Sequence, residues 1–527
     1  MATVYLETFG CQMNELDSEL VTGQLRASGH RFIDRWQDAD VVLYNTCSVR
    51  EMAENKAWSR IGRVGQHKRD HRPGVVLGVI GCMAERDGPD IARRHPQVDL
   101  VVGPADLDKV PLLVEQALHA AAVERPGRPE VRVALSQHPS VAPDGPGDPL
   151  VDGEADPLER VDLARVFTPG DGRAAYVRIT RGCNKKCTYC VVPNTRGREV
   201  HRPPQHIFDE CARLVAAGVR EITLLGQTVN HYHYDAATAV ELDGVLQPQV
   251  GATISPNAGN GGPSPSFNAT TTSFAGLLAM IHDGLPELER LRFVTSLPRD
   301  FGDDILRTIA ERPRICRYLH LPVQSGSDRV LRRMNRGYRV ADYDDLLRRV
   351  RHHLPEAEIA TDIITGFCGE TEDDHRATLD LLRRARFKNS FIFKYSPRPG
   401  TIAFDRLPDD VPDEVKRRRN AELLEVQAEA SAQVHARYVG RTVRARVEGV
   451  SRKTVKQRNA AAAGAPRVTL GWELPDNHVQ LSARTDTDLI VVFDGPEALT
   501  GRTVDVAIRR SSPLTLFGDL VTQGVPA

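Results

Sequence analysis

Three short apolar runs in the first 82 residues end alike. VYLETFGC closes at Cys11, VVLYNTC at Cys47 and VVLGVIGC at Cys82, so the thiols lie 36 and 35 residues apart. Runs this short and this rich in Val, Leu, Ile and Tyr read as buried parallel strands, and stretches such as NELDSELVTGQLRASG between them carry helical spacing. The pattern predicts an open parallel-sheet α/β domain whose three thiols sit at the carboxyl ends of neighbouring strands, the edge where such sheets bind ligands. The alternative is three buried cysteines acting as small hydrophobes. A second series follows: AAYVRITRGC, EITLLGQ, LRFVTS, YLHLPVQSGS, EIATDIITGF and FKNSFIFKYSP, separated by helical stretches such as IFDECARLVAAG and DRVLRRMNRG. Six strand–helix alternations predict a partial (β/α) barrel with its chemistry at the carboxyl rim. Further on, TVRARVEGV, VQLSARTDTDLIVVF and TVDVAIRRS read as strands of a small β-domain.

Two segments break this periodicity. From Ser136 to Arg160, prolines, glycines and acids displace apolar residues, as in a linker between domains. From Asp235 to Thr272 the chain turns Gly/Ser/Asn/Pro-rich and nearly uncharged, the composition of a disordered insertion. The expected organisation is a first domain over 1–135, a linker over 136–168, a barrel over 169–435 interrupted at about 235–272, and a β-domain over 436–520.

Composition adds the setting. The opening MATVYLETFG shows no charged leader with an apolar run behind it, and no apolar stretch is long enough to span a bilayer, so a cytoplasmic protein without a membrane partner is expected. Thiols stay reduced there, which makes clustered cysteines ligands or redox groups before disulfides. A net charge of −1 leaves any nucleic-acid binding to a local patch. One such patch runs from Arg441 to Arg510, with twelve Lys/Arg against eight Asp/Glu; Arg444, Arg446, Arg452 and Lys453 are the candidate phosphate contacts. A solvated β-domain with scattered charge is the plainer reading.

The densest thiol cluster is GCNKKCTYC, which holds Cys183, Cys187 and Cys190 at the end of the first barrel strand. A structural zinc site wants four protein ligands, generally in two separated pairs, and here there are three in one group. A 4Fe-4S cluster held by three thiolates leaves one iron open to an outside ligand. The spacing C-x3-C-x2-C is the one radical S-adenosylmethionine enzymes use for this purpose.

TFGCQMNELDSE, YNTCSVRE, GVIGCMAER, RGCNKKCTYCVVPNTRGRE, LLGQTVN, LHLPVQSGSDRVLRRMNRGY, TDIITGF and FKYSPRPGT together resemble the methylthiotransferase family, over nearly the whole chain. The first motif, with Gln-Met-Asn after Cys11, is most similar to the MiaB branch, which acts on tRNA. The resemblance implies an N-terminal methylthiotransferase domain, a radical S-adenosylmethionine barrel and a small C-terminal β-barrel of the TRAM type that contacts RNA. It also implies two 4Fe-4S clusters, an auxiliary one on Cys11, Cys47 and Cys82 and a radical one on Cys183, Cys187 and Cys190. In that family the open iron of the radical cluster chelates S-adenosyl-L-methionine, whose reductive cleavage gives a 5′-deoxyadenosyl radical. The implied activity is 2-methylthiolation of N(6)-dimethylallyladenosine beside the anticodon, at position 37. The expected partners are a tRNA anticodon loop and an electron donor of the flavodoxin or ferredoxin type, with the enzyme a monomer. Tyr189, Gly226, Gln227, Gln324 and Ser325 are the candidate S-adenosylmethionine contacts, although Gly226 and Ser325 also suit strand-end turns.

The chain departs from the family pattern at Cys368 in GFCGE, where Pro is expected, at Leu297 in TSLPRD, where His is common, and in the insertion. Cys211 shares a helix face with Ile207, Leu214 and Val215 and is assigned to packing; Cys316 and Cys368 lie in or beside strands without partners at ligand spacing, and none of the three is assigned chemistry. Two rival functions are a methylthiotransferase acting on a ribosomal-protein aspartate and a non-catalytic, metal-stabilised RNA-binding protein.

Overall fold

The computed structural model describes residues 1–49, 51–123, 131–135, 156–163, 174–242, 244–250, 271–462 and 478–521. The N-terminal apolar runs form strands Thr3–Thr8, Val41–Thr46 and Val76–Gly81, adjacent and parallel within one six-stranded sheet. Val41–Thr46 and Val76–Gly81 are buried along their whole length, as strands covered on both faces must be. Helices Gln12–Ala27, Glu51–Asp70 and Cys82–Arg94 follow the three strands. The strand-to-helix turns therefore emerge together at one edge of the sheet, and each carries a cysteine.

The central domain contains two three-stranded parallel sheets, Ala174–Arg178, Glu221–Leu225 and Arg290–Phe293, then Tyr318–His320, Glu358–Thr365 and Asn389–Lys394. A parallel bridge between Leu291 and Ile315 joins them, so the six strands follow one another in chain order as an open barrel. Cys211 and most of the barrel's apolar residues share its largest core cluster. Beyond the long helix Asp413–Ala436, strands Thr442–Val450, His478–Thr485, Ile490–Pro496, Thr503–Ser511 and Leu516–Leu520 close into a five-stranded barrel.

Two expected connectors carry structure. Pro157–Leu163 is a helix whose acids are inward: Asp162 accepts from Arg178 at 2.7 Å, Glu159 accepts from Arg202 at 2.8 Å, and Asp156 pairs with Arg181. The Asp156 amide donates to Gln247 Oε1 at 2.8 Å, and Tyr234 Oη donates to the Gln247 carbonyl at 3.1 Å. Residues 235–242 and 244–250 of the expected disordered insertion thus include short strands: Glu241–Leu242 pairs with Val245–Leu246, and Gln249–Val250 pairs with Val200–His201. Residues 136–155, 164–168, 243 and 251–270 of the two connectors lie outside the described residues.

The C-terminal barrel docks on the central one through charge. Arg290 and Arg292 sit two apart on their strand and so face the same way. Arg290 donates to the carbonyls of Arg484 and Thr485 at 2.8 and 2.7 Å, while Arg292 pairs with Asp488. Lys388 reaches the same carboxylate at 2.6 Å. Burial alone would raise the Asp488 carboxyl, but Lys388, Arg292 and Arg484 hold it well below the usual range. Arg446, a candidate phosphate contact, is buried and pairs with Glu289 of the central domain at 3.2 Å. It is a docking residue: it shares the outward face of Thr442–Val450 with Arg444, but at its point on the strand that face lies against Glu289 of the central domain.

Asp488 has a positive φ of 65° that asparagine also tolerates, so Asp488→Asn keeps the turn and removes only the charge. Leaving Lys388 and Arg292 buried without a carboxylate is expected to cost about 3 kcal/mol. Thermal unfolding and limited proteolysis, with the C-terminal barrel released first, check this. Because the folded carboxyl is lowered, its contribution is present above the unfolded value of about 4 and is lost only as pH falls through the depressed folded value.

Candidate active site

One cavity of about 610 Å³ opens between the three domains, and all six motif cysteines line it. No disulfide joins any of the nine cysteines. The N-terminal three reach the cavity from successive strand ends. Cys11 precedes helix Gln12–Ala27, Cys47 follows Thr46 directly, and Cys82 is the first residue of helix Cys82–Arg94.

The turns are held by a buried amide pair. Asn14 donates from Nδ2 to Asn45 Oδ1 at 2.9 Å and to the Thr46 carbonyl at 3.0 Å, and Asn45 returns a bond to the Asn14 carbonyl at 2.8 Å. Cys11 Sγ meets Asn14 Oδ1 at 3.4 Å. Gly10, at φ 136°, makes this possible: a Cβ there would stand 2.7 Å from both Asn14 Oδ1 and the Cys47 Cβ. The same dipeptide recurs at Gly182, φ 72°, where a Cβ would meet the Arg198 carbonyl. The glycines of FGC and RGC are thus what lets each thiol loop approach its neighbour.

The second triplet sits on a short loop pinned from outside. The Cys183 amide donates to the Gly197 carbonyl at 3.1 Å, Thr188 N donates to the Met334 carbonyl at 3.0 Å, and Asn335 Nδ2 donates to the Lys186 carbonyl at 2.8 Å. Arg336, buried, donates through Nη1 to Cys187 Sγ at 3.3 Å and to Tyr189 Oη at 3.4 Å, and through Nη2 to the Pro322 carbonyl at 3.1 Å. Backbone N–H groups of Lys185 and Val49 point at Cys183 and Cys47 sulfurs at 3.4 and 3.3 Å. Such donors favour the thiolate, the form that ligates metal.

Burial works against thiolate. It pushes Cys82 and Cys183 up to about 11 and Cys190 up to about 12. Thiols this reluctant to ionise need a nearby cation to become ligands, which an iron–sulfur cluster provides. Each triplet lines the cavity and has a donor at one of its sulfurs or more, which fits a three-thiolate cluster.

Tyr189, Gly226, Gln227 and Gln324 also line the cavity. Tyr189 packs edge-on against Phe367 with ring centroids 6.4 Å apart, and a Gln227 side-chain oxygen is buried without a partner among the described residues. Ser325 departs from expectation. It is buried away from the cavity lining, its hydroxyl 3.4 Å from Thr378 Oγ1 and accepting from the Ser327 amide at 3.2 Å. The backbone turns over at Gln324, φ 74°, and of the two side chains only Gln324 lines the cavity. Arg444, Arg452 and Lys453 are exposed on the C-terminal barrel, the last two opening helix Arg452–Ala462.

Four residues around the site escaped the sequence reading. Arg336 lies in the MNRGY motif, where nothing local announces that it meets Cys187. Asn14 and Asn45 follow or precede cysteines, a proximity that could have flagged them. Arg196 is buried at the edge of the N-terminal triplet and pairs with Asp17 at 2.7 Å.

Residues 3–103 match a family model described as uncharacterized protein family UPF0004, and residues 177–382 match the radical SAM superfamily. A tRNA-2-methylthio-N(6)-dimethylallyladenosine synthase from Rhodopirellula baltica is 41% identical over 99% of this chain and 98% of its own length. Enzymes of the same name from Chlorobium luteolum and Chromobacterium violaceum are 39% and 38% identical, over 98% and 99% of this chain and 96% and 99% of their own. Among solved structures, the radical S-adenosylmethionine methyltransferase TsrM from Kitasatospora setae, with cobalamin and a 4Fe-4S cluster bound, is similar at 16% identity and a TM-score of 0.47, over 76% of this chain and 77% of that one. With full-length relatives at this identity and both cysteine-bearing regions matched, the chain belongs to the tRNA-2-methylthio-N(6)-dimethylallyladenosine synthase family of radical S-adenosylmethionine enzymes.

Proposed function

We infer that the protein places a methylthio group on carbon 2 of N(6)-dimethylallyladenosine next to the tRNA anticodon, at position 37. The observation that carries this reading is the meeting of two thiol triplets, from separate domains, on one cavity. Cys183, Cys187 and Cys190 would hold the radical 4Fe-4S cluster, and Cys11, Cys47 and Cys82 an auxiliary 4Fe-4S cluster. When bound, these groups and S-adenosyl-L-methionine supply electron delivery, hydrogen abstraction, and the sulfur and methyl that are transferred.

The chain's own residues bind, orient and exclude water. Arg336 bonds Cys187, Tyr189 and the Pro322 carbonyl together, which ties the radical loop to that strand end. Tyr189, Gly226, Gln227 and Gln324 are the S-adenosylmethionine contacts in this reading; Gly226 has no room for a side chain, since a Cβ would meet Thr180 Oγ1. At the mouth, Phe391 and Phe393 lie two apart on one strand, 40% and 39% exposed, and line the same cavity. Aromatic faces so placed suit a base splayed from a loop and an apolar N(6) substituent. Arg444, Arg452 and Lys453 are the RNA phosphate contacts. The reading includes a monomer in the cytoplasm, reduced by a flavodoxin- or ferredoxin-type donor. No helix among the described residues is long and apolar enough to cross a membrane.

A strain lacking the gene is expected to accumulate dimethylallyladenosine without its methylthio group, as read by nucleoside mass spectrometry of its tRNA. With Cys183, Cys187 and Cys190 all changed to Ala, reductive formation of 5′-deoxyadenosine disappears. With Cys11, Cys47 and Cys82 changed to Ala it persists while methylthiolation fails, and each variant loses about half the reconstituted iron. Unchanged 2-methylthio nucleoside in the deletion strain sinks the substrate. Full iron and product from the Cys11/Cys47/Cys82 variant sinks the auxiliary site.

Replacing Arg444, Arg452 and Lys453 by Ala is expected to weaken tRNA binding and lower its salt slope by up to about one per lost contact, with 5′-deoxyadenosine formation in the absence of tRNA retained. Wild-type tRNA affinity across a salt titration rejects these contacts.

A further inference from the structure

Behind the radical loop lies a buried polar cluster that the methylthiolation reading does not use. Glu199, His201 and His231 are 0%, 1% and 4% exposed. One donor atom from each lies within 4.8 Å of the other two. Glu199 Oε2 and His231 Nδ1 share a proton at 2.7 Å. Both ring nitrogens of His201, the second nitrogen of His231 and Glu199 Oε1 have no hydrogen-bond partner among the described residues. Buried polar atoms are satisfied in the great majority of cases, and a buried histidine with neither ring nitrogen partnered, beside the Glu199–His231 pair, calls for an unseen partner. Burial, and after it the neighbouring His231, His233 and Lys185, pushes His201 down to about 3, which keeps its imidazole neutral with a lone pair available.

We propose that Glu199, His201 and His231 form a three-ligand binding site, its fourth position left to a water, for one divalent first-row transition-metal ion, separate from both cysteine triplets. Two imidazoles and a carboxylate are a donor set such ions favour, and zinc is the probe of choice because it needs no fixed geometry. Tetrahedral donors about 2.1 Å from the ion stand roughly 3.4 Å apart. The Glu199–His231 contact widens by under an ångström as the ion replaces the shared proton, which leaves to solvent, and the farthest donor pair closes by rotation of side chains. Chain placement gives the ion its use. Glu199 and His201 lie on the segment that accepts the Cys183 amide at Gly197, the Glu199 amide donates to Asn184 Oδ1 at 2.9 Å, and His231 ends the short helix after Gln227. An ion here ties the base of the radical loop to the strand end that borders the cavity.

The test uses the iron-loaded holoenzyme, so that the six motif thiols are occupied, incubated with zinc sulfate and desalted. Zinc and iron are then counted by plasma mass spectrometry. One zinc per chain above background is expected in the wild type, with a higher thermal midpoint than the zinc-free holoenzyme. His201→Ser and His231→Ala are each expected to bind zinc at least about 100-fold more weakly at unchanged iron content. The proposal is overturned if the wild type keeps no zinc and shows no thermal shift, as it would if the cluster held only water. It is equally overturned if both variants keep wild-type zinc, which would place the ion elsewhere. The wild-type count decides the matter even if a variant fails to fold.

Discussion

Asp17 is fully buried on the helix that follows Cys11, and its carboxylate meets Arg196 of the central domain at 2.7 Å, with Arg178 at 3.9 Å. Around it, Met13, Leu16 and Leu20 pack on Leu225 of a barrel strand. An isolated carboxylate at this depth would be prohibitively costly, so the two domains hold this charge only in the geometry that brings Arg196 across. That geometry is what sets the N-terminal thiols opposite the radical loop. Arg196 serves twice, since it also faces Cys82 and Cys11 and offsets negative charge that would gather there. Removing either partner strands the other, and the juxtaposition of the triplets goes with it.

The remaining domain contact follows the same logic with different residues. Asp488 on a tight turn of the C-terminal barrel collects Lys388, Arg292 and Arg484, and Glu289 takes Arg446 and the Thr503 hydroxyl, the latter at 2.8 Å. Arg484 and Asp488 line the same cavity as the cysteines. The small barrel is therefore part of the wall around the site, while Arg444 and Arg452 are exposed. Charge that looks like an RNA surface in the sequence divides into a set that docks on the central domain and a set that stays exposed.

Cysteines at equal spacing behind apolar runs were legible because a parallel strand and its following helix consume a near-constant length of chain, so thiols at successive strand ends recur together. Six further strands were legible for the same reason, as was the C-x3-C-x2-C loop, whose three ligands are contiguous. Less visible were groups whose partners are distant. Asp156, Glu159 and Asp162 looked like the acids of a linker, and only the fold shows them opposite Arg181, Arg202 and Arg178. Ser325 looked like a rim residue, and beyond the turn at Gln324 it is buried.

The sequence by itself determined the three-part architecture, the two thiol triplets and the family, since strand period, cysteine spacing and contiguous motifs are local properties of the chain. Tertiary structure alone decided that the triplets share one cavity, that Arg336 holds Cys187 and Tyr189, and that Arg446 docks where Arg444 is exposed. It also brought Glu199 and His201 to His231, some thirty residues on. The physical reason is range: periodicity and propensity act over a few residues, whereas ion pairs, buried amides and ligand sets are satisfied by whichever groups the folded chain brings within about 3 Å.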